Sequence, residues 1–64
     1  MNTLSIVIPA YNEERYIGAL LGKIEAVDLA PLGFRKEIIV VDDCSRDKTA
    51  SIVAANPAVT LLRM

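Results

Sequence analysis

The hexapeptide "KEIIVV" (36–41) is the feature that most constrains the fold of this chain. Residues 38 to 41 are apolar and β-branched without a break, so a strand built from them presents apolar side chains on both faces. Continuous strands of this kind suit a parallel sheet covered on both sides. A parallel sheet needs crossover connections, and the flanking sequence supplies them. "LSIVIP" (4–9) is a second β-branched run, which Pro9 ends because it has no N–H to give to a ladder. Between the two runs, Ile17, Leu20, Leu21, Ile24 and Val27 recur at helical spacing. Asn12 is placed to cap that helix, with Glu13 and Glu14 in its first turn. "LAPLGFR" (29–35) reads as a loop. "KTASIVAAN" (48–56) reads as a short helix capped by Ser45 or Asp47 and ended by Asn56 and Pro57, and "AVTLLRM" (58–64) as a third strand. The order is β-α-β-α-β. It predicts an α/β fold, one half of a doubly wound parallel sheet.

Composition narrows the function. With 64 residues, a folded chain buries only about 60% of the surface its unfolded form exposes. Cys44 is the single cysteine and there is no histidine, so neither an internal disulfide nor a zinc site can add stability. The lone thiol suits a reducing, cytoplasmic compartment. A net charge of −1 gives no basic surface for nucleic acid. No apolar run approaches the roughly 20 residues needed to span a bilayer, and residues 1–10 do not resemble a signal peptide. The apolar fraction of 53% is high for so short a chain and points to self-association through an uncovered edge or face.

Open α/β sheets bind ligands outside the carboxyl ends of their strands. Two stretches occupy that edge, "PAYNE" (9–13) and "VDDCSRD" (41–47). Neighbouring parallel strands bring such loops to about 5 Å of each other. A rim of Tyr11, Glu13, Asp42, Asp43 and Asp47 can coordinate Mg²⁺ or Mn²⁺, or accept hydrogen bonds from a base or ribose. Tyr11 offers a face on which a base stacks. Asp42 is expected to brace the turn and Asp43 to meet a ligand. Ser45, Asp47 and Thr49 read as helix caps, Arg46 and Lys48 as solvated charges, and Cys44 as a small packing residue. No glycine-rich phosphate fingerprint is present, which disfavours nicotinamide enzymes and P-loop NTPases.

Together, "SIVIPAYNEERYI" and "EIIVVDDCSRDKT" resemble the start of glycosyltransferase family 2. The matching positions are Pro9, Tyr11, Asn12 and Glu13, then Val41, Asp42, Asp43, Ser45, Asp47 and Thr49. The resemblance implies a Rossmann-like GT-A fold. It also implies inverting transfer from a nucleotide-sugar, as in the dolichyl-phosphate mannosyltransferase-like and undecaprenyl-phosphate sugar transferases. By the same resemblance, Pro9, Tyr11, Glu13, Val41 and Asp43 line the pocket for the base and ribose of a UDP- or GDP-sugar. The family's divalent cation, Mg²⁺ or Mn²⁺, and its catalytic base belong to motifs that do not occur here. Residues 1–64 are thus expected to be the N-terminal, nucleotide-binding part of a catalytic domain. The expected location is cytoplasmic, or at the cytoplasmic membrane face in a longer protein. Alone, the chain is expected to be inactive. Where the family often has glycine, this chain has Cys44, whose Cβ resists a positive φ.

Two other readings are weaker. A receiver-like signalling domain also ends a strand in an acidic pair, but after its first strand, and it needs an acceptor Asp at the end of the third. Here the pair follows the second strand and the third candidate strand ends Leu62-Arg63-Met64. The other reading is a structural unit with no activity of its own.

Overall fold

The computed structural model describes residues 2–64. Its elements are β1 (Asn2–Ala10), α1 (Ile17–Ala26), a 3-10 turn (Ala30–Leu32), β2 (Phe34–Asp42), α2 (Thr49–Ala54) and β3 (Val59–Arg63). The three strands are parallel in the order β1-β2-β3, with Ile8 opposite Val40 and Val40 opposite Leu61. The expected βαβαβ half of a Rossmann-like sheet is therefore present.

Both helices lie on one face of the sheet. Ile17 and Leu21 of α1 and Val53 of α2 close over Ala10, Ile38 and Val40, and these six residues form the buried core. The predicted stripe on α1 is narrower than its spacing suggested. Ile17, Leu21 and the half-buried Ile24 face the sheet, whereas Leu20 and Val27 are exposed.

The expectation that β2 is covered on both faces fails. Its alternate residues Ile39 and Val41 are only half-buried, and Val7 and Leu62 on the flanking strands are 60% and 51% exposed. A two-layer slab of this kind is not compact. Its radius of gyration is 12.1 Å, against about 11 Å for a globular chain of this length.

Pro9 does not end β1. It lies inside the strand opposite Val41, with Ala10 still paired to Asp42. Within this sheet β1 is an edge strand, the place where a missing N–H is tolerated. β2 also runs longer than expected, beginning at Phe34 and taking in Asp42. At the other end of the molecule, α1 is closed by Lys36. Its ammonium donates to the carbonyls of Ile24 and Glu25 at 2.6 and 2.9 Å, and to that of Val27. A cation there also opposes the negative end of the helix dipole.

Candidate functional site

The loop that follows β1 and the loop that follows β2 close on each other, starting at Asn12, two residues past the end of β1. Asn12 is the hinge of this closure. It does not cap α1, which starts five residues later at Ile17 with no side-chain cap. Instead Asn12 adopts a left-handed backbone, φ 50°, a conformation asparagine tolerates better than most residues. Its N–H donates to Ser45 Oγ at 2.9 Å, and its Oδ1 accepts the N–H of Arg46 at 2.8 Å. The next two amides follow suit. Glu13 N–H donates to Thr49 Oγ1 at 2.8 Å, and Glu14 N–H to Asp47 Oδ2 at 3.2 Å. The carbonyl of Glu13 then accepts the N–H groups of Tyr16 and Ile17 and leads into α1.

Ser45 and Thr49 therefore do a different job from the one expected, and Asp47 adds a second job to its bond at the start of α2. α2 has no side-chain cap at its own N-cap, Lys48. The three side chains instead serve the amides of the turn that precedes α1, more than thirty positions away in sequence. Asp47 also accepts the N–H and the hydroxyl of Thr49. Partial burial pushes the Asp47 carboxyl up. The hydrogen bonds from Thr49 side chain and backbone, from Glu14 and from its own amide outweigh this and hold it below its ordinary value of 3.8.

Cys44 departs from expectation twice. It is exposed and takes φ 56°, so the Cβ did not prevent the left-handed turn that glycine makes easily. Such a residue costs on the order of 1–2 kcal/mol. The loop holds it there by bonds on either side: Asp43 N–H donates to Ala10 carbonyl at 2.9 Å, and Cys44 Sγ–H to Met64 carbonyl at 3.1 Å.

Pro9 and Val41, both expected in the pocket, are register partners and form a shelf on the sheet face that carries no helix. Tyr11, just beyond β1, is 55% exposed, and Asp43 just beyond β2 is exposed as well. Among the described residues no hydrogen bond engages the Asp43 carboxylate or the Tyr11 hydroxyl, so both are free to meet a ligand. Glu13 is exposed at the foot of α1, joined to the second loop through its amide.

Asp42 does not brace the turn. It is wholly buried, and neither carboxylate oxygen accepts a hydrogen bond. Its nearest cation is Arg63, whose Nε lies 3.6 Å from Oδ2. Sequence reasoning missed this pair, although two strands ending at one level would have suggested it.

The acids of the rim do not fit a divalent cation. Among the described residues no group of three or more Asp, Glu, His or Cys converges. Asp47 is occupied by N–H donors, and Asp42 is sealed beside an arginine. An open concavity of about 400 Å³ lies instead at the far end of the sheet, between Glu25, Val27, Asp28, Phe34 and Lys36. The Lys36 ammonium there is saturated by carbonyls, and Asp28 Oδ1 accepts the N–H of Ala30.

A parallel three-stranded sheet with its helices on the crossovers defines a Rossmann-like α/β class of architecture. The family model described as Glycosyl transferase family 2 matches residues 5–64, and the chain belongs to that family. It is 43% identical over 53 residues to the Poly(ribitol-phosphate) beta-N-acetylglucosaminyltransferase TarS of Staphylococcus aureus (strain Mu50), which covers 83% of this chain and 9% of the relative. It is 46% identical over 55 residues to the Undecaprenyl-phosphate 4-deoxy-4-formamido-L-arabinose transferase of Pseudomonas aeruginosa (strain LESB58), covering 86% of this chain and 16% of the relative. The same-named protein of Pseudomonas fluorescens is 48% identical over 52 residues, with 81% and 15% covered. The chain thus spans less than a fifth of the length of these relatives. No solved structure matches it significantly. No helix among the described residues is long and apolar enough to cross a membrane.

Proposed function

We propose that this chain is the donor-nucleotide-binding part of an inverting glycosyltransferase that takes sugar from a UDP- or GDP-sugar. Residues 1–64 form the N-terminal portion of its catalytic domain. The observation that carries this reading is the juxtaposition of an exposed Tyr11 and an unengaged Asp43 beside the Pro9–Val41 shelf, on loops locked together by Asn12. The base stacks on Tyr11, and Asp43 accepts from an N–H of the base. Glu13 accepts from sugar hydroxyls. The names of the relatives support a polyprenyl phosphate or a poly(ribitol-phosphate) polymer as the class of acceptor. The divalent cation of the family, Mg²⁺ or Mn²⁺, takes its ligands from residues outside this chain, as does the catalytic base.

Titration with UDP and GDP, with and without Mn²⁺, tests the reading. Metal-independent binding that Asp43→Asn weakens about tenfold is expected, since a hydrogen bond to a charged group is worth roughly 1.5 kcal/mol or more. Binding unchanged in the variant would remove Asp43 from the pocket. The bare sheet face has a separate consequence. Val7, Ile39, Val41 and Leu62 make it apolar, and the chain alone self-associates through it. Sedimentation should show species heavier than 7.0 kDa at micromolar concentration, and a monomer throughout would refute this.

A further inference from the structure

The sheet has two open edges, β1 with nine residues and β3 with five. In a parallel ladder, alternate residues of a strand turn both backbone groups to the same neighbour. Asn2 N–H donates to the carbonyl of Gly33, and Ala10 carbonyl accepts from Asp43 N–H, so the even residues of β1 face β2. Thr3, Ser5 and Val7 therefore turn their N–H and C=O groups outward. Pro9 shares their parity, so the donor it lacks is missing from the open edge and not from the ladder. An open edge is a template for another strand, and natural edges are guarded by charge or proline. β1 has no ionisable side chain, and Pro9 guards one end only.

The flank of α1 beside this edge is apolar. Its opposite flank packs on α2, which lies over β2 and β3. A Cβ at Gly18 would stand 3.8 Å from Ile52 Cγ2, and Glu25 Oε1 accepts from Asn56 Nδ2. Leu20, and Val27 just past the helix end, follow Gly18 and Glu25 by two positions and so point the other way, toward the β1 side. They are 42% and 52% exposed. Leu4 shares the parity of the buried Ala10, so it lies on the helix-bearing face of β1, and it too is exposed.

We propose that this edge pairs with the same edge of a second copy of the chain, antiparallel about a two-fold axis at Ser5. Thr3 then lies opposite the partner's Val7, and Ser5 opposite the partner's Ser5. Every outward N–H of Thr3, Ser5 and Val7 meets a carbonyl of the same set. Moving the axis to Ile6 instead sets Pro9 opposite the partner's Thr3, whose carbonyl is left without a donor. In the Ser5 register Leu4 lies beside the partner's Ile6, and the Leu20 flanks of the two α1 helices close over them. No charge on β1 opposes the pairing. Such a contact is isologous, and it joins the two sheets into one. Their carboxyl edges point in opposite directions, so both Tyr11–Asp43 rims stay open.

Disulfide trapping tests this on the whole chain, with Cys44→Ser so that Cys44 cannot compete. Hydrogen-bonded antiparallel partners have Cα atoms about 5.5 Å apart, within disulfide range. Ser5→Cys should therefore give a covalent dimer of twice 7.0 kDa under mild oxidation. Thr3→Cys is out of step with its own copy, and Thr60→Cys lies on the bare face of β3. Each should give less than about a tenth as much. Ser5→Pro removes the axial N–H without touching the ladder to β2, and sedimentation should show dimer affinity at least about tenfold weaker. Ser5→Ala, which keeps the N–H and loses only the bond from Ser5 Oγ to Glu37, should dimerise as the unaltered chain does. Equal cross-linking at positions 5 and 60 would assign association to the bare face and overturn the edge pairing. A monomer throughout, or unchanged affinity in a folded Ser5→Pro variant, would overturn it as well. If Ser5→Pro fails to fold, the cross-linking ratio decides.

Discussion

Thr49→Val probes the lock between the two loops with a single-atom change of character. Thr49 is fully buried, its Oγ1 accepts the amide of Glu13 at 2.8 Å, and its hydroxyl donates to Asp47. Valine keeps the shape and has a similar helix propensity, so neither a cavity nor a strained α2 confuses the result. What remains is a Glu13 N–H with no acceptor and an Asp47 oxygen short of one donor. Leaving a partly buried donor unsatisfied costs about 1–3 kcal/mol, and ~2 kcal/mol is the expected loss. A domain of this size has roughly 3–10 kcal/mol in total, so the loss is a large share. In urea, with a slope of about 1 kcal/mol/M for a small chain, the midpoint should fall by about 2 M. The thermal midpoint should fall by roughly 8–16 °C. Thr60→Val is the matched control. Thr60 is exposed on β3, and its change should stay within about 0.5 kcal/mol. Circular dichroism follows both transitions, and amide exchange at Glu13 gives the local readout. If Thr49→Val shifts the midpoint no more than Thr60→Val, or if the Glu13 amide remains equally protected, the interlock does not stabilise the protein as argued.

The held-down carboxyl of Asp47 predicts a pH dependence. Its folded value lies below its ordinary 3.8, so the unfolded chain binds the proton first as pH falls. The contribution is complete above about pH 5 and is lost progressively on acidification through the folded value. Asp47→Asn should flatten the acid limb of a stability–pH curve below pH 4, and an unchanged limb would show that Asp47 is not its source. Gly22 sits mid-helix in α1 with nothing within 4 Å of where a Cβ would stand. Gly22→Ala should therefore stabilise by up to about 1 kcal/mol, read as a rise in thermal midpoint. A fall would mean that the position has a contact the chain alone does not show.

The order of elements was legible in the sequence because hydrophobic periodicity is a local property. The apolar run 38–41, the helical recurrence of Ile17, Leu21 and Ile24, and the loops between them fall where the structure puts them, within a few residues. The family was legible too, since Pro9, Tyr11, Glu13, Asp43 and their neighbours are matched by residue type and spacing. Tertiary structure decided everything that depends on which donor finds which acceptor. Asn12, Ser45, Asp47 and Thr49 all have strong local capping tendencies, and read alone each belongs to its own helix. Only the parallel pairing of β1 with β2 brings the loops together, and there Ser45 Oγ, Thr49 Oγ1 and one oxygen of Asp47 accept the amides of 12–14, while the other oxygen of Asp47 stays with Thr49. Asp42 shows the same limit from the other side. An aspartate at a strand end reads as a surface residue. Its burial comes with its place on the same sheet face as Val40, and its pairing with Arg63 from a register that links positions 42 and 63. Which elements form is settled by short-range pattern. What a polar side chain does once they meet is settled by the sheet.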